Sequence, residues 1–292
     1  DTYSSVERPS KTVLYNSKGK EIKVLAENSA YQKQTEKYGF AKTEFFKIGI
    51  ESGDSLNAYI MKPVDFDKNK KYPVLMNVYG GPGAQSVMNR WNSNAWHHYL
   101  TRLGYIIVCV DNRGTGGQGR DFQHVTYKQL GKYESADQIA SAKYLASLPF
   151  VDGNRIGIWG WSYGGYMSSL SLLLGNEVFK AAIAVAPVTS WRYYDTIYTE
   201  RYLQKPKDNP TGYDDYSPQS HVDKLKGSLL LIHGTGDDNV HFQHAVELQN
   251  ALIKANKQFD SFYYPDRNHG ISGGNTRLHL YTMMSDFILE KL

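Results

Sequence analysis

A serine at position 162 lies within the segment Gly160-Trp161-Ser162-Tyr163-Gly164-Gly165, which matches the pattern G-x-S-x-G. The strand-like run Arg155 to Trp159 precedes this segment, and a helix-forming run starts at Tyr166. A strand that turns directly into a helix holds the serine in a strained conformation, and the flanking glycines relieve the crowding. The hydroxyl is then exposed above a helix N-terminus, where developing negative charge is favoured. The pattern therefore predicts that Ser162 is the nucleophile of an acyl-transfer reaction.

A serine hydroxyl is a weak nucleophile, so it needs a histidine base that is oriented by a carboxylate. With this serine motif, the acid and then the histidine follow the serine along the chain. Asp237 and Asp238 come just after the apolar run Leu229 to Ile232, and His269 follows the next strand-like run. Spacing therefore selects His269 as the base and leaves Asp237 and Asp238 open as alternatives.

The oxyanion of a tetrahedral intermediate needs hydrogen-bond donors. One donor is expected from the backbone N–H of Tyr163, next to the serine. The other is expected from the loop after the third strand, which reads Val78-Tyr79-Gly80-Gly81-Pro82-Gly83. Its glycines allow a close approach of the backbone, as in the glycine-rich oxyanion loops of esterases, and Tyr79 offers a hydroxyl.

Other chemistry is disfavoured by the sequence. The segment Gly114 to Gly119 fits G-x-G-x-x-G, but the following residues, Arg120 to Leu130, are polar and read as irregular, and no acid stands about 20 residues on at a strand end. No spacing of histidine, cysteine or carboxylate suggests a metal site. We expect neither a cofactor nor a metal. A net charge of +4 without long basic blocks also gives no reason to expect nucleic acid binding.

The elements that must position these residues form an alternating series. From about residue 43 onward, two opening strands are followed by six strands that alternate with helices, which predicts a mostly parallel eight-stranded sheet with helices on both faces. The predicted strands are Thr43–Ile50, Ala58–Lys62, Pro73–Val78, Tyr105–Val110, Ile156–Trp159, Ala181–Val185, Leu229–Ile232 and Phe259–Tyr264. The predicted helices are Asn94–Leu103, Glu134–Leu148, Tyr166–Leu174, Phe242–Asn256 and Thr276–Leu289. In such sheets the chemistry gathers at the carboxyl ends of the strands.

The chain divides into two parts of different character. Residues 1–40 are polar, with strand-like pieces Thr12 to Tyr15 and Ile22 to Leu25 around a turn, and a hairpin of this size is not stable alone in water. Residues 41–292 form the predicted α/β domain. The chain begins with Asp1 and shows no signal peptide, so we expect a fragment or a processed form. No apolar run reaches the 18 residues of a membrane span, and Cys109, the single cysteine, is expected to be buried.

Three segments are specific enough to identify a family: the serine segment extended to Tyr166, residues 193–202 (YYDTIYTERY) and residues 233–241 (HGTGDDNVH). On these segments the sequence, from about Lys71 to the C-terminus, resembles the prolyl oligopeptidase family of serine peptidases, and within it most closely the dipeptidyl peptidase IV group. It implies the α/β-hydrolase fold and a serine exopeptidase that cleaves after proline and releases N-terminal X-Pro dipeptides through an acyl-enzyme. The alternatives are a prolyl tripeptidyl peptidase, or another peptidase or esterase of the same fold.

The resemblance also implies roles for residues. It assigns the triad to Ser162, Asp237 and His269, and it matches Tyr79 to the oxyanion tyrosine that works beside the Tyr163 amide. Asn239 matches a residue that binds a substrate carbonyl. The pocket for the proline ring is matched by five further residues: Val188, Trp191, Tyr194, Tyr198 and Val240.

The resemblance implies partners as well. In this family the substrate amine is held by acidic residues of a β-propeller that precedes the hydrolase domain. Residues 1–40 are therefore expected to be the remnant of such a propeller and its connector. The expected partners are peptides with a penultimate proline, the missing propeller of the same chain and a second copy in a homodimer. The expected location is the bacterial periplasm or cell surface, with the cytoplasm as the alternative.

Overall fold

The main body is one mixed sheet of eight strands in the order β11-β10-β9-β8-β6-β7-β5-β4. The computed structural model describes residues 1–92 and 94–292. The pairs β4·β5 and β5·β7 are antiparallel, and all the other pairs are parallel. The strands are β4 Thr43–Gly49, β5 Ser55–Met61, β6 Tyr72–Asn77, β7 Ile106–Asp111, β8 Val151–Trp161, β9 Ala181–Val185, β10 Ser228–Gly234 and β11 Asp260–Tyr264. The eight predicted strands and the mostly parallel sheet are thereby confirmed.

Helices cover both faces of this sheet, because its central strands are buried on both sides. Helices α4 Lys132–Ala146, α5 Tyr163–Leu174 and α8 Gln243–Lys254 pack on one face, and α2 Ala95–Arg102 and α9 Thr276–Lys291 pack on the other. The five predicted helices are all present, although α5 starts three residues earlier than the sequence indicated.

Four α-helices were not predicted: α1 Ser29–Tyr38, α3 Arg120–His124, α6 Thr196–Leu203 and α7 Pro210–Asp214. The prediction that Arg120 to Leu130 is irregular is therefore wrong at its start. In α1 only Thr35 is buried, so the helix shows no apolar periodicity that a sequence reading could use. Its end is well defined, since Gly39 takes the left-handed conformation at φ 68° and its N–H bonds the last turn.

The N-terminal residues form a separate antiparallel sheet of three strands, β1 Thr2–Ser5, β2 Arg8–Tyr15 and β3 Glu21–Ala26. The predicted hairpin around residues 16–20 is present as β2 and β3, and β1 adds a strand that was not predicted. This sheet exposes Leu14, Ile22 and Leu25 to between 46% and 60%. It therefore leaves three apolar side chains exposed to solvent.

Two smaller predictions are also settled by the fold. Cys109 is buried in β7, and burial raises the pKa of its thiol far above the ordinary range, so it is an unreactive core residue. Within residues 1–92 and 94–292, the helices are too short or too polar for any of them to cross a membrane.

Candidate active site

Ser162 forms a strained elbow between β8, which ends at Trp161, and α5, which begins at Tyr163. Its backbone has φ 61° and ψ −119°, a conformation that a serine adopts only when its surroundings impose it. A methyl group at Gly160 would collide with the Gly164 carbonyl, and one at Gly164 would collide with the Val78 carbonyl. The glycines on both sides of the serine are therefore required by close backbone packing.

The elbow is anchored by its own backbone. The Ser162 N–H donates to the Val185 carbonyl at the end of β9 (2.9 Å), and the Ser162 carbonyl accepts from the Tyr166 N–H (3.0 Å). The serine therefore sits at the carboxyl ends of the central strands, where parallel sheets place their chemistry.

Asp237 and His269 are brought together from two loops at the same edge of the sheet. The His269 Nδ1 lies 2.8 Å from the Asp237 Oδ2, whereas Asp238 is exposed to solvent. The Gly236 N–H donates to the Arg267 carbonyl (3.1 Å), which joins the acid loop to the histidine loop. The structure thus pairs the histidine with the first of the two aspartates.

The environment of Asp237 keeps it ionised. Its Oδ1 accepts from the N–H groups of Asn239 and Val240, both at 3.0 Å. Burial would raise the pKa of Asp237, but hydrogen bonds from His233 and His269, the charge of His269 and the Asn239 amide lower it well below its ordinary value. A carboxylate that stays charged can orient an imidazole and stabilise its protonated form.

His233 belongs to this network although the spacing of the sequence gave it no role. It is fully buried, and its Nε2 lies 2.8 Å from the Val240 carbonyl and 3.3 Å from the Asp237 Oδ2. The signal in the sequence was its place in the same segment as Asp237, four residues before it.

The histidine loop is also joined to the serine elbow. The Trp161 Nε1 donates to the His269 carbonyl (2.9 Å), so the residue before the serine holds the loop of the base. Within the described residues, no hydrogen bond joins the Ser162 hydroxyl to His269. Such contacts often become short only when substrate is bound.

The loop after β6 approaches the elbow from the other side. The Tyr79 ring centroid is 6.0 Å from that of Tyr163, and the Tyr79 side chain is 42% exposed. Burial, followed by the neighbouring Tyr202, raises the pKa of Tyr79, so its hydroxyl stays protonated and is able to donate. Gly80 has φ 74°, and a methyl group at Gly81 would press against both tyrosine rings. The glycines therefore permit the close approach that the sequence predicted.

Aromatic side chains form a box beside the serine elbow. The Trp191 and Tyr198 rings are nearly parallel at 5.8 Å, and the Tyr194 ring stands across both of them at 5.8 and 5.4 Å. Val188 and Val240 are buried beside it. The box thus combines the five residues that were matched to a proline pocket.

Three further contacts complete this box. The Tyr194 hydroxyl donates to the Asn239 Oδ1 (2.7 Å), so the pocket is joined to the acid loop. The Tyr166 ring packs edge-on against Trp191 at 5.2 Å, and the Tyr163 ring lies 5.5 Å from Trp191. Tyr166 was not predicted as part of the pocket, although it lies in the segment that carried the resemblance.

Within the described parts of the chain, no group of three or more histidine, cysteine, aspartate or glutamate side chains is arranged to hold a metal ion. The groups that surround Ser162 are an ionised carboxylate, an imidazole, donor groups and an aromatic box. Such an arrangement is suited to nucleophilic acyl transfer.

Known proteins are similar to this chain in sequence and in fold. The chain is 43% identical over 274 residues to "Prolyl endopeptidase FAP" of Mus musculus, covering 92% of this chain and 36% of the relative. It is 42% identical over 286 residues to "Dipeptidyl peptidase 4" of Sus scrofa, covering 97% and 37%. The crystal structure of Porphyromonas gingivalis dipeptidyl peptidase 4 superposes on the whole chain with a TM-score of 0.97, at 48% identity and over 41% of that protein.

The chain therefore spans between a third and two fifths of the length of these two curated relatives. The family model that describes the prolyl oligopeptidase family matches residues 91–292, which is more than half of the chain. The chain belongs to the prolyl oligopeptidase family.

Proposed function

We propose that this chain carries the catalytic centre of a serine exopeptidase that cleaves after proline and releases X-Pro dipeptides from peptide N-termini. The observation that carries the proposal is the aromatic box of Trp191, Tyr194 and Tyr198 beside the elbow serine. Proline has a rigid ring and no N–H, so a close aromatic wall favours its shape and excludes larger side chains.

The chemistry follows from the geometry of the acid and base loops. The Ser162 Oγ attacks the scissile carbonyl carbon while His269 takes the hydroxyl proton, and the Asp237 carboxylate stabilises the imidazolium. The Tyr79 hydroxyl and the Tyr163 N–H hold the oxyanion. When the intermediate collapses, the C–N bond breaks and His269 gives its proton to the leaving amine. Water, activated by His269, then hydrolyses the acyl-enzyme.

Substrate selection beyond proline needs groups that the pocket does not supply. Asn239 is exposed at the rim, where we propose that it binds a substrate carbonyl. We propose that acidic residues of a preceding β-propeller bind the free amine and that residues 1–40 are the remnant of that domain. The separate three-stranded sheet of residues 2–26, which leaves Leu14, Ile22 and Leu25 exposed, supports this proposal. We further propose that the whole protein forms a homodimer.

A second activity is favoured by one comparison. A relative of 43% identity is named a prolyl endopeptidase, so cleavage after an internal proline is a candidate as well. A tripeptidyl peptidase would use the same pocket with different amine anchors, and an esterase of small acyl substrates would show no preference for proline. These functions differ in what they require of the substrate amine and of the residue before the cleaved bond.

The test compares the p-nitroanilides of Gly-Pro and Gly-Gly, each with a free and a blocked amine. It uses the wild type and Ser162→Ala, in chain 1–292 and in the full-length chain. We expect release that depends on proline and is abolished in Ser162→Ala. Equal turnover of Gly-Gly would reject the proline pocket, and efficient turnover of blocked substrates by the full-length chain would favour an endopeptidase.

The same substrates test the role of the preceding domain. A charge-assisted hydrogen bond to the amine contributes about 1.5–3 kcal/mol, so we expect the preference for a free amine to be at least about tenfold weaker in chain 1–292. Labelling of Ser162 by an active-site phosphonate checks that both chains are folded. Equal preference in two equally labelled chains would contradict the proposed role of the propeller, and failure of both to label would favour a non-catalytic module.

A further inference from the structure

Helix α4 buries polar side chains where the core of the protein would ordinarily be apolar. Glu134, Asp137, Gln138 and Ser141 follow one another at helical spacing on one face, and each is at most 1% exposed. Buried polar groups cost free energy unless they find partners, so such a face calls for an explanation. Glu134 bonds the first residue of α5, and Asp137 and Gln138 bond residues 110–113 at the end of β7.

Glu134 contacts the residue that follows the nucleophile. The Tyr163 hydroxyl donates to the Glu134 Oε1 at 2.8 Å, and both side chains are buried. Tyr163 is the first residue of α5, so its backbone N–H lies beside Ser162. The hydrogen bond holds the far end of the ring, while Tyr79 and Trp191 pack along its sides. The orientation of the Tyr163 backbone is therefore coupled to α4.

Gln138 contacts the other half of the oxyanion site through one intermediate residue. The Gln138 Nε2 donates to the Asn112 Oδ1 (2.9 Å), and the Asn112 Nδ2 donates to the Gly80 carbonyl (3.0 Å). Gly80 follows Tyr79 and has φ 74°, a conformation that its hydrogen bond helps to hold. Two fully buried amides thus connect α4 to the backbone that carries Tyr79.

Asp137 fixes the glycine-rich segment 114–119 on which the same loop rests. Its carboxylate accepts from the Arg113 N–H (2.8 Å) and from the Arg113 guanidinium. The adjoining segment bonds the oxyanion loop directly, because the Gly83 N–H donates to the Gly114 carbonyl and the Gly116 N–H donates to the Ala84 carbonyl. The glycines that resemble a nucleotide motif permit this backbone-to-backbone packing.

We propose that the buried polar face of α4, defined as Glu134, Asp137 and Gln138, is a positioning element that aligns both oxyanion donors. Glu134 sets the Tyr163 amide, while Gln138, through Asn112, sets the loop of Tyr79. The inference rests on the proposed function. These residues are proposed to act without contacting substrate, by holding the donors where the oxyanion forms. A hydrogen bond fixes the direction of its two groups more closely than apolar packing does.

The experiment uses the full-length chain with Glu134→Met and Gln138→Met, which keep side-chain length and remove the hydrogen bonds. We expect kcat on Gly-Pro p-nitroanilide to fall about 10- to 100-fold, because misplaced oxyanion donors weaken the transition state. KM should change by less than about threefold, since the aromatic box is not altered. Glu134→Gln keeps an acceptor for the Tyr163 hydroxyl and should restore most of kcat.

A pair of inhibitors separates positioning from general loosening of the fold. A Val-boroPro boronate forms a tetrahedral anion at Ser162 and needs the oxyanion donors, whereas a Val-pyrrolidide fills the proline pocket without one. Affinity for the boronate should fall in parallel with kcat, and affinity for the pyrrolidide should be retained. Equal losses for both inhibitors would mean a merely structural role and would overturn the proposal.

Ser141→Ala is the matched control, because Ser141 lies on the same side of α4 with equal burial and its hydroxyl makes no hydrogen bond within the described residues. Its kcat should equal that of the wild type. If Glu134→Met does not fold, Tyr163→Phe removes the same hydrogen bond from the other side and should give the same loss.

The rate of phosphonate labelling at Ser162 distinguishes a failure of this inference from a failure of the proposed function. Labelling also places negative charge in the oxyanion site, but it needs no proline. A wild type that labels yet cleaves no prolyl bond would refute the proposed function, and slower labelling of the α4 variants would still support the inference. Variants that label at the wild-type rate would overturn it.

Discussion

Asp237 and Asp238 have the same side chain and adjacent positions, but the fold gives them different surroundings. Spacing left both open because either carboxylate follows β10. Asp237 is buried and accepts from two backbone N–H groups and from His269, whereas Asp238 is exposed. A low pKa and a buried site make Asp237 the residue able to hold the imidazole.

We predict that Asp237→Asn lowers kcat by about 10⁴-fold on a prolyl p-nitroanilide, because an amide holds the histidine in the wrong tautomer. Asp238→Asn makes the same chemical change one residue away and should retain wild-type kcat. Steady-state kinetics of both variants, with thermal midpoints to verify folding, measure the difference. Comparable losses in the two variants would contradict the assignment.

At the scale of elements, the strands could be predicted and part of the helices could not. Strands buried on both faces are continuous apolar runs, and all eight were found from the sequence. Helix α1 was missed because it buries one residue, and α6 was missed because its tyrosines line a pocket in place of the core. The polar face of α4 was missed for a related reason, since charged residues at helical spacing normally face solvent.

The site followed the same rule. The pairing of His269 with an aspartate after β10 and the close approach of the glycine loop could be predicted, because each depends on a motif at the end of a strand. The contacts of Glu134 and Asn112 could not, because their partners lie 29 and 32 residues away along the chain. The contacts of His233 with the Val240 carbonyl and with Asp237 could not, because spacing does not show which polar groups of a segment turn inward. The sequence shows that a residue is polar, but not whether it is buried or which group it bonds. Both depend on the tertiary structure.

Elements also impose steric requirements that can be tested away from the catalytic side chains. At Gly164 a methyl group would collide with the Val78 carbonyl, where α5 crosses the end of β6. We predict that Gly164→Ala lowers the free energy of unfolding by at least about 2 kcal/mol, since backbone atoms cannot yield as side chains do. Thermal or urea unfolding measures this change.

Gly49→Ala is the matched comparison for that prediction. Gly49 ends β4, has no atom within 4 Å of an added methyl group and does not have a positive φ. Its unfolding free energy should stay within about 0.5 kcal/mol of the wild type. If both substitutions have the same effect, crowding at the elbow is not what selects glycine at position 164.

At the scale of the whole molecule, buried histidines make stability depend on pH. Burial lowers the pKa of His97 to about 3, that of His98 to about 4 and that of His244 to about 4. For each, the folded chain holds the neutral form while the unfolded chain binds a proton below about pH 6.5. Stability is therefore fully present above pH 6.5 and is lost as the pH falls towards the folded values.

Three buried carboxyls oppose this trend, because burial raises the pKa of Asp111, Glu134 and Asp137. Burial raises the pKa of Glu134 from its ordinary value of 4.5 to about 7. Between pH 7 and pH 4.5 the folded chain therefore binds a proton at Glu134 that the unfolded chain does not. Between pH 7 and pH 5 the three histidines lower the free energy of unfolding by about 2 kcal/mol each and Glu134 raises it by about 2 kcal/mol, so the net loss is about 4 kcal/mol. We therefore predict a lower thermal midpoint for chain 1–292 at pH 5 than at pH 7.

His244→Asn identifies the source of this loss, because an amide oxygen can replace the Nδ1 acceptor that now takes the Thr189 N–H (3.0 Å) and an amide does not titrate. The fall in midpoint between pH 7 and pH 5 should be about half as large in this variant as in the wild type. His124→Asn, at an exposed histidine, should leave the fall unchanged. An equal midpoint at both pH values in the wild type would mean that the buried histidines do not remain neutral in the folded chain. Burial would then not be the dominant influence on the pKa of these histidines.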